Sequence, residues 1–398
     1  MNILPWVVLS AIMMFVTVLV QTPGRFPQYI VPYWQRPFIA FDATAFYLMQ
    51  LLYPASLGID YARTPELVLN HWWGYLTGVV PAAILIVLWH FRKKYPLYLT
   101  CFIIFLVGFL PVSGLVPFIY QKYSTVADRY LYFSMIGPAI ASALFLRNEK
   151  KIFHLLPVFC IVVLLMMTTY VQAKTWDSGI KLYNHALDVN PNSYWARNNL
   201  ANSIVKDDLI GAIMLYQEAI TINPEYPKAL GNLAVTILKV KNYHPNFRIE
   251  QLVNMEKDST EKESEHLKAG IKAFQENDVR TALKHFGTVT ALNILNPKSY
   301  NNIGVFFIYI GDYNGAVWPL RTAITLFPEN PEAMNNLAIT HYYLGDSKDS
   351  VEYFDKALTM MKFSAVISSN RDKALKGMNE SDAIPKKDNP NFEYLLQQ

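Results

Sequence analysis

Cysteine is nearly missing from this 398-residue chain: Cys101 and Cys160 are the only two, and both fall inside apolar runs. That leaves no basis for a disulfide framework or a cysteine-based metal site. Charge is also scarce, at 17% of residues, and it is unevenly placed. Residues 1–171 hold 11 Lys/Arg against 5 Asp/Glu, which leaves 24 against 26 for the remainder. The formal net charge of +4 therefore arises in the first part of the chain. The second part shows no basic face interleaved with aromatics, so nucleic acid is excluded as a partner. A Gly-rich phosphate loop, a Ser/His/Asp constellation and Cys/His metal spacing are all absent, and no metal ligand or catalytic residue is assigned.

Long apolar runs fill residues 1–171. A helix crossing a bilayer needs about 20 predominantly apolar residues. The runs Ile3–Val20, Phe38–Pro54, Trp72–Phe91, Leu97–Val116, Tyr130–Leu146 and Ile152–Val171 predict about six spanning segments. The second is shorter and carries Asp42, so a re-entrant or interfacial helix is its alternative. Arg25 and Arg36, Arg92-Lys93-Lys94, and Arg147 to Lys151 lie in alternate loops. The positive-inside rule places those loops in the cytoplasm. Loops 55–71 and 117–129, and everything after Val171, then face outward, as in a bacterial inner-membrane protein with a periplasmic domain. Met1 also falls outside, with no charged side chain before Arg25. This reads as a chain shortened at its N-terminus, whose partner would be an upstream-encoded membrane subunit, or else as an uncleaved anchor.

After Val171 the pattern changes to a repeat. Gly311 and Gly345 stand 34 residues apart in one helical pattern: Ile303, Gly304, Phe307, Ala316, Leu320, Ala323 and Pro328, then Leu337, Ala338, His341, Ser350, Phe354 and Ala357. A 34-residue helical hairpin with small residues at the crossings resembles the tetratricopeptide (TPR) repeat. Weaker copies precede it, at Tyr183, Ala186 and Pro191, at Leu200, Ala212, Tyr216 and Pro224, from Leu233, and at Gly270, Ala282 and Phe286. The expected fold is all-α, a polytopic membrane bundle over 1–171 followed by a TPR α-solenoid over 172–364. Residues 241–262 form an irregular insertion, and 365–398 form a capping helix and tail. The tail reads as loose, with Phe392-Glu393-Tyr394-Leu395-Leu396 as a segment able to dock.

An asparagine precedes the large apolar position of four first helices: Asn199, Asn232, Asn302 and Asn336. Asn198, Asn301 and Asn335 double three of them, and Lys268 interrupts the series. In a TPR hairpin this position lines the groove. A primary amide carries both donor and acceptor and can pair with a peptide unit without reading its side chain. The pattern resembles the asparagine ladder of the O-linked N-acetylglucosamine transferase superhelix. The resemblance implies a protein or peptide partner held in extended form; local capping and solvated polar filler are the alternatives.

The outward loop Tyr123 to Tyr132 contains Ala127-Asp128-Arg129-Tyr130-Leu131-Tyr132. It resembles the A-[DE]-R-Y-L-Y segment of the transmembrane-and-TPR O-mannosyltransferases and their bacterial relatives, which are glycosyltransferases of the GT-C type. The Asp60–Pro65 stretch is similar to a second loop of those relatives. The resemblance implies a polyprenyl-phosphate sugar as donor substrate, in contact with membrane lipid. Guanidinium and ammonium groups suit its phosphate. Arg129, Arg63 and Lys122 are the candidate contacts, with Asp128 and Asp60 as orienting partners. The family's acidic catalytic pair has no counterpart before Asp42 in this chain. The expected function is therefore extended-polypeptide binding as part of a protein O-glycosyltransferase, and the alternative is a non-catalytic membrane scaffold for envelope proteins.

Overall fold

Apolar periodicity becomes helix throughout the described residues, and none of them forms a strand. The computed structural model describes residues 31–54, 56–147, 152–243, 259–380 and 393–397. The chain forms two compact units, Met1–Ala196 and Arg197–Gln398.

The first unit contains α1 (Arg36–Leu52), α2 (Pro65–Leu69), α3 (Val79–His90), α4 (Pro96–Phe109), α5 (Ile136–Leu146), α6 (Ile152–Lys174) and α7 (Gly179–Val189). Its core is aromatic: Phe46 and Tyr47 of α1 pack with Phe102, Phe105 and Phe109 of α4 and with Val126. At Gly137 of α5 a Cβ would come within 2.2 Å of the Cys101 carbonyl oxygen, so α4 and α5 touch backbone to backbone.

Two helices are long and apolar enough to cross a bilayer: Trp72–His90, 19 residues, and Leu156–Asp177, 22 residues. Along the second, Phe159, Leu164, Met166, Met167 and Val171 are all exposed. By length and composition this helix meets what a bilayer crossing requires. At its end the Lys174 ammonium lies 4.5 Å over the Tyr170 ring, with Trp176 exposed nearby. Aromatic and basic side chains collect in this way at a membrane interface.

Among the described residues, two of the six expected segments thus form helices long and apolar enough to cross, and the six-segment bundle is not confirmed. Helix α1 has 17 residues and buries Arg36, Asp42, Thr44 and Gln50. The apolar helix at Pro96–Val112 ends before the Gly114 turn, where φ is 102°. Helix α5 starts only at Ile136. At 1.5 Å per residue it covers about 16 Å, roughly half of a hydrocarbon core. Ile3–Val20 lies outside the described residues.

The second unit begins within α8 (Tyr194–Ile204) and continues through α9 (Leu209–Ile222), α10 (Pro227–Tyr243), α11 (Ser259–Gln275), α12 (Val279–Leu292), α13 (Pro297–Tyr309), α14 (Tyr313–Leu326), α15 (Pro331–Tyr343), α16 (Ser347–Met360) and α17 (Ala365–Glu380). Hairpins form from α11 with α12, α13 with α14, and α15 with α16, and α17 packs on α16.

One local device makes each hairpin. Asn277, Gly311 and Gly345 take positive φ, at 64°, 73° and 85°. The next residue donates its N–H back into the helix just ended: Asp278 to Ala273 O, Asp312 to Phe307 O and Asp346 to His341 O, each at 2.9 Å. This closes the last turn as a Schellman motif. The same aspartate caps the following helix, with Asp278 accepting from Thr281 N, Asp312 from Gly315 N and Asp346 from Asp349 N. A single aspartate therefore follows one helix end and starts the next helix.

The early repeats do not simply lengthen this stack. Helix α9 packs on α12, and α10 packs on α14. Thr322 Oγ1 donates to Ala234 O at 3.1 Å, and Arg280 grips Glu225 with two hydrogen bonds. Residues 244–258, most of the expected insertion, lie outside the described residues.

Gly345 isolates the backbone requirement, because beyond its own and its two adjoining residues no atom lies within 4 Å of where its Cβ would be. Gly345→Ala is expected to cost about 1–2 kcal/mol from left-handed strain alone, and Gly345→Asn less, as asparagine tolerates this region. Urea denaturation of the three proteins checks this, and equal midpoints for the alanine variant and the parent would contradict it.

Candidate functional site

The asparagines of α13, α15 and α17 form a continuous line of hydrogen bonds. Asn370 Nδ2 donates to Asn335 Oδ1 at 2.9 Å, and Asn335 Nδ2 donates to Asn336 Oδ1 at 3.1 Å. Asn336 Nδ2 donates to Asn301 Oδ1 at 2.9 Å, and Asn301 Nδ2 donates to Asn302 Oδ1 at 3.1 Å. Every donor points the same way along the line. That polarity fixes each amide's orientation, because turning one would set two donors or two acceptors against each other.

Each amide retains hydrogen-bonding capacity that the line does not use, and residues 393–397 take it up. Asn370 accepts from Glu393 N at 3.2 Å and donates to Glu393 O at 2.9 Å. Asn336 accepts from Leu395 N at 3.0 Å and donates to Leu395 O at 2.8 Å. Asn302 accepts from Gln397 N and donates to Gln397 O, both at 2.8 Å. Asn335 and Asn301 add donors to Glu393 O and Leu395 O. The segment is therefore held by the backbone of alternate residues, and it runs opposite to the order of the helices. With this segment in place all five asparagines are fully buried.

Asn302, Asn336 and Asn370 are spaced 34 residues apart. Asn370 was not among the asparagines singled out from the sequence because it lies in α17, beyond the recognisable hairpins. The 34-residue step from Asn336 was the signal that could have found it.

The remaining asparagines form a second set. Asn232 Nδ2 donates to Asn198 Oδ1 at 2.9 Å and to Asn202 Oδ1 at 3.2 Å, and Asn202 also accepts from the Tyr216 hydroxyl at 2.6 Å. Asn199 is half-buried on α8, and Lys268 is exposed on α11.

In the first unit the two loops singled out from the sequence lie side by side. Thr125 N donates to Arg63 O at 2.8 Å, and the Tyr61 hydroxyl donates to Asp128 Oδ1 at 2.7 Å. Ala62, between them, has φ of 54°, a strained value for a residue with a Cβ. Its N–H is held by Asp60 Oδ1 at 2.9 Å. Asp60 is buried, and its other oxygen accepts from Ser193 Oγ.

Arg63 grips Asp42 through Nε at 2.9 Å and Nη2 at 2.7 Å, with its guanidinium also over the Phe46 and Trp73 rings. Its fork therefore already holds a carboxylate. Asp42 was noted in the sequence only as a charge within an apolar run. Arg129 is exposed, bonded to the Tyr130 hydroxyl at 3.1 Å and placed over the Tyr120 and Tyr130 rings. The Lys122 ammonium lies 5.0 Å over the Tyr123 ring.

Burial pushes the Asp128 carboxyl above the usual aspartate range, against the opposing pull of the Tyr61 hydroxyl and Arg129. Tyr61 is raised by its own burial first and by the Asp128 charge next. Among the described residues one group has metal-ligand spacing, His341, Asp346 and Asp349, with ligand atoms within 4.8 Å of one another. There Asp346 is the cap of α16, as its counterparts cap α12 and α14.

Residues 332–362 match the tetratricopeptide repeat family. No curated protein matches the chain. Among solved structures, YrrB, described as a TPR protein with an unusual peptide-binding site, is similar at 16% identity and a TM-score of 0.25, over 50% of this chain and 99% of that one. TTC0263, a thermophilic TPR protein of Thermus thermophilus, is similar at 17% identity and a TM-score of 0.24, over 54% of this chain and 95% of that one.

Asp128 binds its proton more tightly in the folded state than in the unfolded chain. Its contribution to stability is full below the ordinary aspartate value, about 4, and is lost as pH rises through the higher folded value. Asp128→Asn removes that loss, so the variant should gain stability relative to the parent between about pH 4 and 7. Thermal melts in detergent at both pH values check this, and a difference independent of pH would speak against it.

Proposed function

We propose that this chain binds extended polypeptide along the asparagine-lined face of its TPR hairpins, and that its apolar helices anchor the chain in a membrane. One observation carries the reading: three asparagines 34 residues apart each pair with both the N–H and the C=O of one peptide residue. These backbone contacts ask only for an extended chain and by themselves read no side chain. The basic loop Arg92-Lys93-Lys94 supports an extracytoplasmic position for the hairpins.

The Ala127–Tyr132 segment supports a finer reading, in which the bound polypeptide is presented to a polyprenyl-phosphate-sugar glycosyltransferase assembled with a further membrane subunit. The exposed Arg129 is then the donor-phosphate contact. A specific observation favours the second reading, a non-catalytic scaffold: the Arg63 fork is filled by Asp42.

In a chain lacking residues 393–398, Asn302→Ala with Asn336→Ala should weaken binding of a labelled unfolded polypeptide at least tenfold. Fluorescence anisotropy in detergent reads this, and an unchanged affinity would remove the asparagine face as the binding site.

A further inference from the structure

The segment seated on the asparagine face is read at two side chains as well as along its backbone. The Tyr394 hydroxyl lies beside that of Tyr343, and Tyr394 is half-buried. Tyr343 is itself stacked on Tyr313, with ring centroids 4.5 Å apart and planes 10° from parallel. An aromatic side chain is thus received by an aromatic pair that links α14 to α15.

Three residues on, the Gln397 carboxamide is matched in both directions. Its Nε2 donates to Asn330 Oδ1 at 2.8 Å and to Glu332 Oε2 at 3.0 Å, and its Oε1 accepts from Asn330 Nδ2 at 3.2 Å. Asn330 is fully buried, and its Oδ1 also caps α15 through Ala333 N, so it cannot turn away without giving up the cap. A carboxylate at this place would face Glu332. A hydrocarbon side chain would leave the Asn330 amide without the partner it has here. Extended backbone alone requires none of these contacts.

We propose that this face is a peptide site whose resident ligand is the chain's own segment 393–397, and that it takes in trans an extended segment of the same chemistry: an aromatic side chain followed three residues later by a carboxamide. The direction is set as well. The segment's N-terminal end pairs with Asn370 and its C-terminal end with Asn302. A peptide of reversed order presents its side chains to the wrong partners. Because the resident segment is covalently attached, its effective concentration is on the order of millimolar. A free peptide therefore binds the intact chain only by displacing it. This inference rests on the reading above that the asparagine face binds polypeptide, and it adds selection and self-occlusion to it.

The test uses the labelled hexapeptide Glu-Tyr-Leu-Leu-Gln-Gln with the full chain in detergent and with a chain lacking residues 393–398. The shortened chain is expected to bind at least tenfold more tightly than the full chain. Replacing the peptide's tyrosine and its first glutamine by alanine should weaken binding to the shortened chain at least tenfold, and the reversed sequence should fail to compete. Full-length Tyr394→Ala with Gln397→Ala provides an independent arm should the shortened chain misfold. It keeps every residue of the hairpins, and it should also bind the hexapeptide more tightly than the parent.

Equal binding by the full chain and both variants overturns self-occlusion. Equal binding of the hexapeptide and its alanine version overturns side-chain selection while leaving general polypeptide binding intact. A shortened chain that binds neither the hexapeptide nor an unfolded polypeptide, while retaining the parent's helical signal, removes both readings.

Discussion

A primary amide buried in a protein has to place two donors and an acceptor oxygen, and one left unpaired costs about 1–3 kcal/mol. Five such amides lie together on α13, α15 and α17, all fully buried. They meet the requirement partly by donating along one line and partly through the backbone of residues 393–397. The line alone satisfies only part of their demand, so the face is complementary to an extended chain before any side chain is considered. The 34-residue repeat fixes where the amides stand, and the aspartate that links successive helices fixes the repeat. The turn at Asn277, Gly311 and Gly345 thereby connects local backbone conformation to what the face can hold.

The first unit obeys a different constraint. Leu156–Asp177 is long and apolar enough to cross a bilayer and is almost entirely uncovered by the rest of the protein. Polar groups in the same unit are tied to one another: Asp42 with Arg63, Tyr61 with Asp128, Asp60 with Ser193. Loop 57–64 is additionally held by Gln172 and His185, both of which reach Leu57 O. Ala62 keeps its strained conformation inside this frame and sends its neighbours Tyr61 and Arg63 to different carboxylates.

The hairpins were legible because the sequence repeats the same local instructions at a fixed interval. Gly311, Gly345, Ala316 and Asn336 all follow from that interval. Asn370 and the capping aspartates obey the same interval but lie outside the apolar pattern that marks the hairpins. The packing of α10 on α14 was not legible, because it joins residues with no common periodicity. In the first unit, apolar runs and helices do not coincide. An apolar run such as Tyr130–Leu146 contains Gly137-Pro138, and its helix begins only at Ile136. The Asp42–Arg63 pair was also out of reach, since no sequence rule relates two charges on separate elements.

The pairing of one asparagine rung with every second peptide residue makes the face a ruler with a two-residue division. Adjacent rungs correspond to about 6.8 Å of extended chain. Adding one residue between the contacts at Asn336 and Asn302 would present the opposite edge of the strand to the last rung, whereas adding two could be absorbed as a small loop. Even and odd insertions in an otherwise matching segment therefore fall into separate classes, and a lengthened tail would be sorted by parity before it is sorted by composition.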